Sequence, residues 1–101
     1  MALKIPTLVL DAVVLQILDR GELYGYLISK EIQEITHISD STTYPVLRRL
    51  EKAELLETHT VIFEERSRKY YKITDQGRVR LKELKQDWHE FATQINSILG
   101  E

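Results

Sequence analysis

From Thr74 to Gly100 the chain carries Leu81, Leu84, Trp88, Phe91, Ile95 and Ile98 at spacings of 3, 4, 3, 4 and 3 with no proline between them. An apolar seam that keeps a heptad rhythm over about five turns calls for a second helix along its length. Thr74 is a capping residue, Asp75 complements the positive end of a helix, and Gly100 suits its exit, so the spacing predicts one helix from Thr74 to about Leu99. A chain of 101 residues builds one small core, and a helix this long outreaches it. The helix either folds back on its own domain or offers its seam to another chain, and the mismatch in length favours the second. Residues 74–101 are therefore expected to be a dimerisation helix that packs as one unit with the first helix, following a separate unit over residues 1–73.

The earlier elements follow from periodicity and punctuation. A first helix is predicted from Pro6 or Thr7 to Arg20, with Pro6 at its entrance and Gly21 at its exit. Leu10, Val13, Val14, Ile17 and Leu18 form its expected core stripe, and Ile5, Leu8, Ala12 and Leu15 a second stripe on another side. A helix apolar on two sides is usually buried on two sides, so the second stripe points to another subunit or a ligand. A second helix, from about Tyr24 to Ile35, is expected to bury Leu27, Ile28, Ile32 and Ile35 and to expose Ser29, Lys30, Gln33 and Glu34. The polar turn "THISDS" then leads to a third helix over about 41–53, giving a helix-turn-helix. The stretch "LLETHTVIFEERSRKYYKI" is rich in β-branched and aromatic residues, with a charged turn expected near Glu65 to Ser67, and reads as a two-stranded hairpin. The predicted class is mainly α with a small β-hairpin (α+β): a winged helix-turn-helix plus a long C-terminal dimerisation helix.

The third helix is built with two unlike faces. Thr43, Val46, Leu47 and Leu50 share one side of a helical wheel, while Ser41, Tyr44, Arg48, Arg49 and Lys52 occupy the rest. Pro45 is tolerable in or beside the first turn, where backbone N–H groups lack helical partners. Ser41, Thr42, Thr43 and Tyr44 bring hydroxyl donors to the helix start, a place that attracts phosphate, and the cations follow one to two turns later. This distribution suits a helix set into a major groove by its N-terminal half. The hairpin tip, residues 63–69, places Arg66, Arg68 and Lys69 where a wing would meet the neighbouring backbone or minor groove, although Glu64 and Glu65 dilute it.

Net charge is -2, but residues 41–82 hold ten Lys/Arg against six Asp/Glu and the remainder four against ten. Alone, such a basic block is more often an ordinary solvated face; on a winged helix it falls on the helix and wing that would face DNA. The chain has no cysteine, so disulfides and thiolate metal sites are excluded and a reducing cytoplasm is the expected setting. The run Ile5 to Leu18 is broken by Asp11 and is shorter than the roughly 20 residues of a membrane span, and no signal peptide or membrane segment is expected. His37, His59 and His89 lie on three different elements without ligand spacing and are expected at the surface, with no metal and no cofactor. No phosphate loop or nucleophile elbow is present, and no enzyme is expected.

Three motifs carry a family likeness. "ELYGYLISKEI" resembles the Tyr-Gly-Tyr-led second helix of small PadR-type transcriptional regulators, "STTYPVLRRLEKAELL" their recognition helix, and "RSRKYYKITDQG" their wing strand and Thr-x-x-Gly helix start. Two positions depart from the pattern: Thr43 stands where leucine is usual, and Glu54 replaces the common glycine before "LL", which puts the turn after the recognition helix in question. The resemblance implies a homodimeric repressor of double-stranded DNA targets, with C-terminal helices forming the dimer and no separate effector domain. It also implies that planar or aromatic effectors can bind between subunits, at the positions matching Ile5, Leu8, Ala12 and Trp88, although an aromatic in a heptad seam is more often plain interface packing than a ligand platform. On this reading the DNA contacts are Ser41, Thr42, Thr43, Tyr44, Arg48, Arg49, Lys52, Arg66, Arg68 and Lys69, and the dimer contacts Leu8, Ala12, Leu81, Leu84, Trp88, Phe91, Ile95 and Ile98. The competing reading is a winged-helix module that binds protein partners and no specific DNA.

Overall fold

The computed structural model describes residues 5–100. The elements are α1 (Thr7–Asp19), a short strand β1 (Leu23–Tyr24), α2 (Gly25–Thr36), α3 (Asp40–Lys52), β2 (Leu56–Phe63), β3 (Arg66–Ile73) and α4 (Asp75–Leu99). The helix boundaries agree with those read from the sequence to within about two residues. The hairpin is the larger part of a three-stranded antiparallel sheet of order β1-β3-β2, because Leu23 and Tyr24 pair with Tyr71 and Tyr70. A two-residue strand shows no alternation of its own in a sequence, and β1 was not expected.

Helix α1 is the hub, in contact with α2, α3, β3 and α4. Leu10, Val14, Leu15, Ile17 and Leu18 on α1 pack against Ile28 and Ile32 of α2, Val46, Leu47 and Leu50 of α3, Leu56, Tyr71 and Ile73 of the sheet, and Leu81 and Leu84 of α4. Burying each such side chain stabilises the fold by roughly 1.5–3 kcal/mol before the entropy of ordering is subtracted. Because α1 is covered around most of its girth, the two stripes read from sequence do not divide as expected. Leu15, assigned to the outer stripe, is fully buried, while Val13, assigned to the core, is half-buried and faces the gap between α1 and α4. On α2, Ser29 is buried rather than solvated, since its hydroxyl donates to the Asp40 carboxylate of α3; Ile35, in the last turn and beyond the core, is exposed.

Two turns fix how α3 and the wing leave the core. After Lys52 the chain closes with Glu54 N–H donating to Glu51 O (2.9 Å) and Leu55 N–H to Leu50 O (3.0 Å), the paired bonds of a Schellman stop. Glu54 sits at φ 64°, the left-handed conformation that glycine adopts at least cost, so the turn is retained despite the substitution. The hairpin turn is Glu64–Glu65, at φ 50° and 64°, one residue earlier than expected, and Phe63 pairs with Arg66 across it. At the other end Thr74 caps α4, its Oγ1 accepting from Gly77 N–H (3.0 Å) and donating to Glu54 O (2.8 Å).

Candidate nucleic-acid interface

The inward face of α3 is the one the wheel indicated, with Thr43, Val46, Leu47 and Leu50 all buried. Thr43 therefore departs from its second assignment as a DNA contact: it has no exposed surface, and its hydroxyl donates to Ser39 O (3.4 Å) within the helix start. Ser41, Thr42, Arg48 and Lys52 are exposed on the outward side. Pro45 is exposed too, and because α3 begins at Asp40 the proline lies in the second turn, next to the first. Its missing N–H leaves the carbonyl of exposed Ser41 to solvent, which limits the cost.

Two residues of α3 expected to be presented are partly engaged. Tyr44 is half-buried over Gly25, whose missing side chain is what admits the ring: a Cβ there would lie 3.0 Å from Tyr44 Cε1. Burial, then the Asp40 charge, then Tyr71 raise the phenol above its ordinary pKa, so it stays a neutral donor. Arg49 is half-exposed, but its guanidinium is turned onto Asp11 of α1, with Nη1 3.1 Å from Oδ2 and Nη2 2.5 Å from Oδ1. The hydrogen bond to Asp11 is the main cause of a pKa raised above the usual arginine value, with burial opposing it and the Asp11 charge adding to it.

On the wing, Lys69 Nζ lies 2.9 Å from Glu51 Oε1, and Thr58 Oγ1 donates to Glu51 Oε2 (3.0 Å), so Glu51 ties α3 to both long strands. That leaves Lys69 neutralised rather than free. Arg68 lies between the rings of Tyr24 and Phe63, at 4.7 and 4.6 Å from their centroids, which stiffens the hairpin without cancelling the charge. Arg66 is exposed at the turn. Among the described residues Arg48, Lys52, Arg66 and Arg68 form no ion pair, and they are the cations that α3 and the wing tip offer outward; Lys72, further along β3, is exposed and unpaired as well.

A groove of 580 Å³ runs between α1 and α4, walled mainly by Leu8, Val9, Ala12, Val13, Trp88 and Phe91. Leu8, Ala12 and Trp88 lie together there as the sequence suggested; Ile5 does not line it and packs instead against the core. The heptad seam is divided. Leu81 and Leu84 are each 4% exposed, packed within their own chain, so they are core rather than interface as this protomer stands. Trp88, Phe91, Ile95 and Ile98 remain open, at 49%, 52%, 37% and 79% exposed. The alternative expectation of a fold-back thus holds for the first three turns of α4, where α1 is available, and ends where the domain ends.

Sequence reasoning missed Asp11 and Glu51 as partners of the basic side chains. Asp11 left a signal, being the lone acid in an otherwise apolar run; Glu51 left none, because its partners come from strands whose register the sequence did not fix. His37, His59 and His89 are all exposed, as expected. Among the described residues no His, Asp and Glu cluster could hold a metal ion, and no helix is long and apolar enough to cross a membrane.

Three helices, a sheet-borne wing and an outward cationic face on the second helix of a helix-turn-helix define the winged-helix class of DNA-binding regulators. Residues 14–83 match the family model of the PadR-like transcriptional regulators, and the chain belongs to that family. Among solved structures, a Streptococcus mutans protein superposes with a TM-score of 0.89 at 37% identity, covering 99% of this chain and 94% of its own. A PadR-like transcriptional regulator of Bacillus cereus superposes at 0.80 with 34% identity, over 92% and 93% of the two chains. A Lysinibacillus sphaericus protein is 38% identical over 86 residues, 80% of this chain and 79% of its own. The family consists of transcriptional regulators, not enzymes.

Proposed function

We propose that the chain acts as a homodimeric repressor that binds a palindromic operator in duplex DNA, with α3 in the major groove and the wing along the flanking backbone. Residues 1–73 would read DNA and residues 74–101 would clasp the partner. The observation that carries this reading is the set of unpaired outward cations on α3 and the wing, above all Arg48 and Lys52. Ser41, Thr42 and the Tyr44 phenol supply hydroxyls to phosphates at the helix start. Lys69 and Arg49, held by Glu51 and Asp11, contribute less than the sequence alone suggested.

The open stripe Trp88, Phe91, Ile95 and Ile98 supports pairing with a second copy, since four large apolar side chains on one helix face are otherwise left in water. In such a dimer the α1–α4 groove becomes the natural seat for a planar or aromatic effector beside Trp88, and saturable quenching of Trp88 fluorescence by planar cations or aromatic acids checks that part. The DNA reading is tested by selecting bound sequences from a random duplex pool. A palindrome with half-sites about one helical turn apart is expected, and affinity should fall with salt at a log-log slope of about -5 to -7, from three or four phosphate contacts per subunit. Absence of both a motif and a salt slope would favour a protein-binding module instead.

A further inference from the structure

Asp11 is 4% exposed on a helix that is otherwise apolar along this stretch, and both of its carboxylate oxygens are taken by one partner, the Arg49 guanidinium. The remaining contacts between α1 and α3 are aliphatic, through Leu10, Val14, Val46, Leu47 and Leu50. Contacts of that kind are non-directional and resist separation more than rotation, whereas a two-pronged arginine–carboxylate fork holds only within a narrow range of angles. Arg48 immediately precedes Arg49 on α3, and Lys52 lies one turn beyond Arg48 on the same outward side. Pinning Arg49 to α1 therefore fixes the direction in which Arg48 and Lys52 project. The fork also satisfies the Arg49 charge internally, which removes the reason for that side chain to seek a phosphate.

We infer that Asp11 is a positioning residue for DNA recognition: through Arg49 it sets the rotation of α3, and Arg49 is a strut of the fold rather than a DNA contact. The inference rests on the reading of α3 as the recognition helix. Asp11 has no sight of DNA itself, lying on α1 behind α3. The same helix presents Val9, Ala12 and Val13 to the groove, so the fork is also the polar tie between the groove wall and α3.

The test uses the full-length protein, a duplex it selects from a random pool, a mixed-sequence duplex for comparison, and fluorescence anisotropy over a salt series. Asp11→Asn is expected to weaken the selected duplex tenfold or more while binding the mixed duplex as well as, or a few-fold better than, the wild type. Its salt slope should steepen by about 1 for each guanidinium released to a phosphate. Arg49→Lys, which keeps the charge but loses the fork, should show the same loss of selectivity, and Asp11→Asn combined with Arg49→Met should be no worse than Asp11→Asn alone. Thermal melts identify any variant that is unfolded at the assay temperature; if Asp11→Asn is, Asp11→Glu, which keeps Arg49 and the charge but displaces the carboxylate by one methylene, carries the comparison. Loss of both duplexes in parallel marks a merely structural role and overturns the inference. So does selectivity that survives Asp11→Asn but falls with Arg49→Lys, which would make Arg49 a direct contact. Failure of the recognition-helix reading looks different: the wild type itself would select nothing from the pool, and the inference would fall with it.

Discussion

Replacing Gly77 by alanine sets two rules against each other. In the interior of an exposed helix the change stabilises by about 0.8–1.0 kcal/mol. At Gly77 a Cβ would stand 2.2 Å from the carbonyl oxygen of Leu55 and 2.7 Å from Ile73 Cγ1. Reaching ordinary contact near 3.4 Å requires the start of α4 to back away from the 53–56 segment by about 1.2 Å. The bonds from Thr74 N–H to Leu55 O (3.1 Å) and from Thr74 Oγ1 to Glu54 O (2.8 Å) are then stretched past hydrogen-bonding range. Overpacking costs about 1–3 kcal/mol and two lost hydrogen bonds about 0.5–1.5 kcal/mol each. After the helix-propensity gain is subtracted, Gly77→Ala should destabilise by about 3 kcal/mol. With a urea m-value of about 1–3 kcal/mol/M, the midpoint falls by roughly 1–3 M, measured by circular dichroism at a fixed protomer concentration. An unchanged or raised midpoint would refute the close approach of α4 to Leu55.

Glu54→Gly should raise stability by about 0.5–1 kcal/mol in the same assay, because it relieves a left-handed φ of 64° without touching the core. Phe91→Asp combined with Ile95→Asp should give folded monomers in analytical ultracentrifugation, whereas Leu84→Asp should unfold the domain, since Leu84 is core; persistent dimers in the first case would reject the α4 seam. The Glu51–Lys69 pair has a defined pH window: the bond to Lys69 is the main cause holding the Glu51 carboxyl below its ordinary value, with burial opposing and Thr58 assisting, while the bond to Glu51 is the main cause raising Lys69 above its own. Its stabilisation is thus present at neutral pH, lost as pH falls through the lowered Glu51 value, and lost again as pH rises through the raised Lys69 value. Lys69 is half-exposed and screened, so the contribution is about 0–1 kcal/mol. The stability gap between wild type and Glu51→Gln should close at both extremes, and a gap constant with pH would remove the pair as its source.

The fold was legible because its signals are local. Helix periodicity, Pro6 and Gly21 around α1, the Thr74 cap, and the switch to β-branched residues after Leu55 each act within a few neighbours, and a chain read residue by residue retains them. The two-faced character of α3 was legible for the same reason, since a wheel needs only the helix. The pairings among charged side chains were not. Arg48 and Arg49 are adjacent and identical in type, yet one projects outward and the other is locked to Asp11, 38 positions earlier.

Leu81 and Ile95 belong to one heptad seam, yet one is core and the other open, because α1 runs out between them. What the sequence by itself determined was which elements form and which faces are apolar or basic. Only the tertiary structure decided which cations are already spent on partners inside the molecule and how much of the seam is left for a second chain. The physical reason is that periodicity is written by neighbours along the backbone, whereas neutralisation and burial depend on side chains brought together from distant positions.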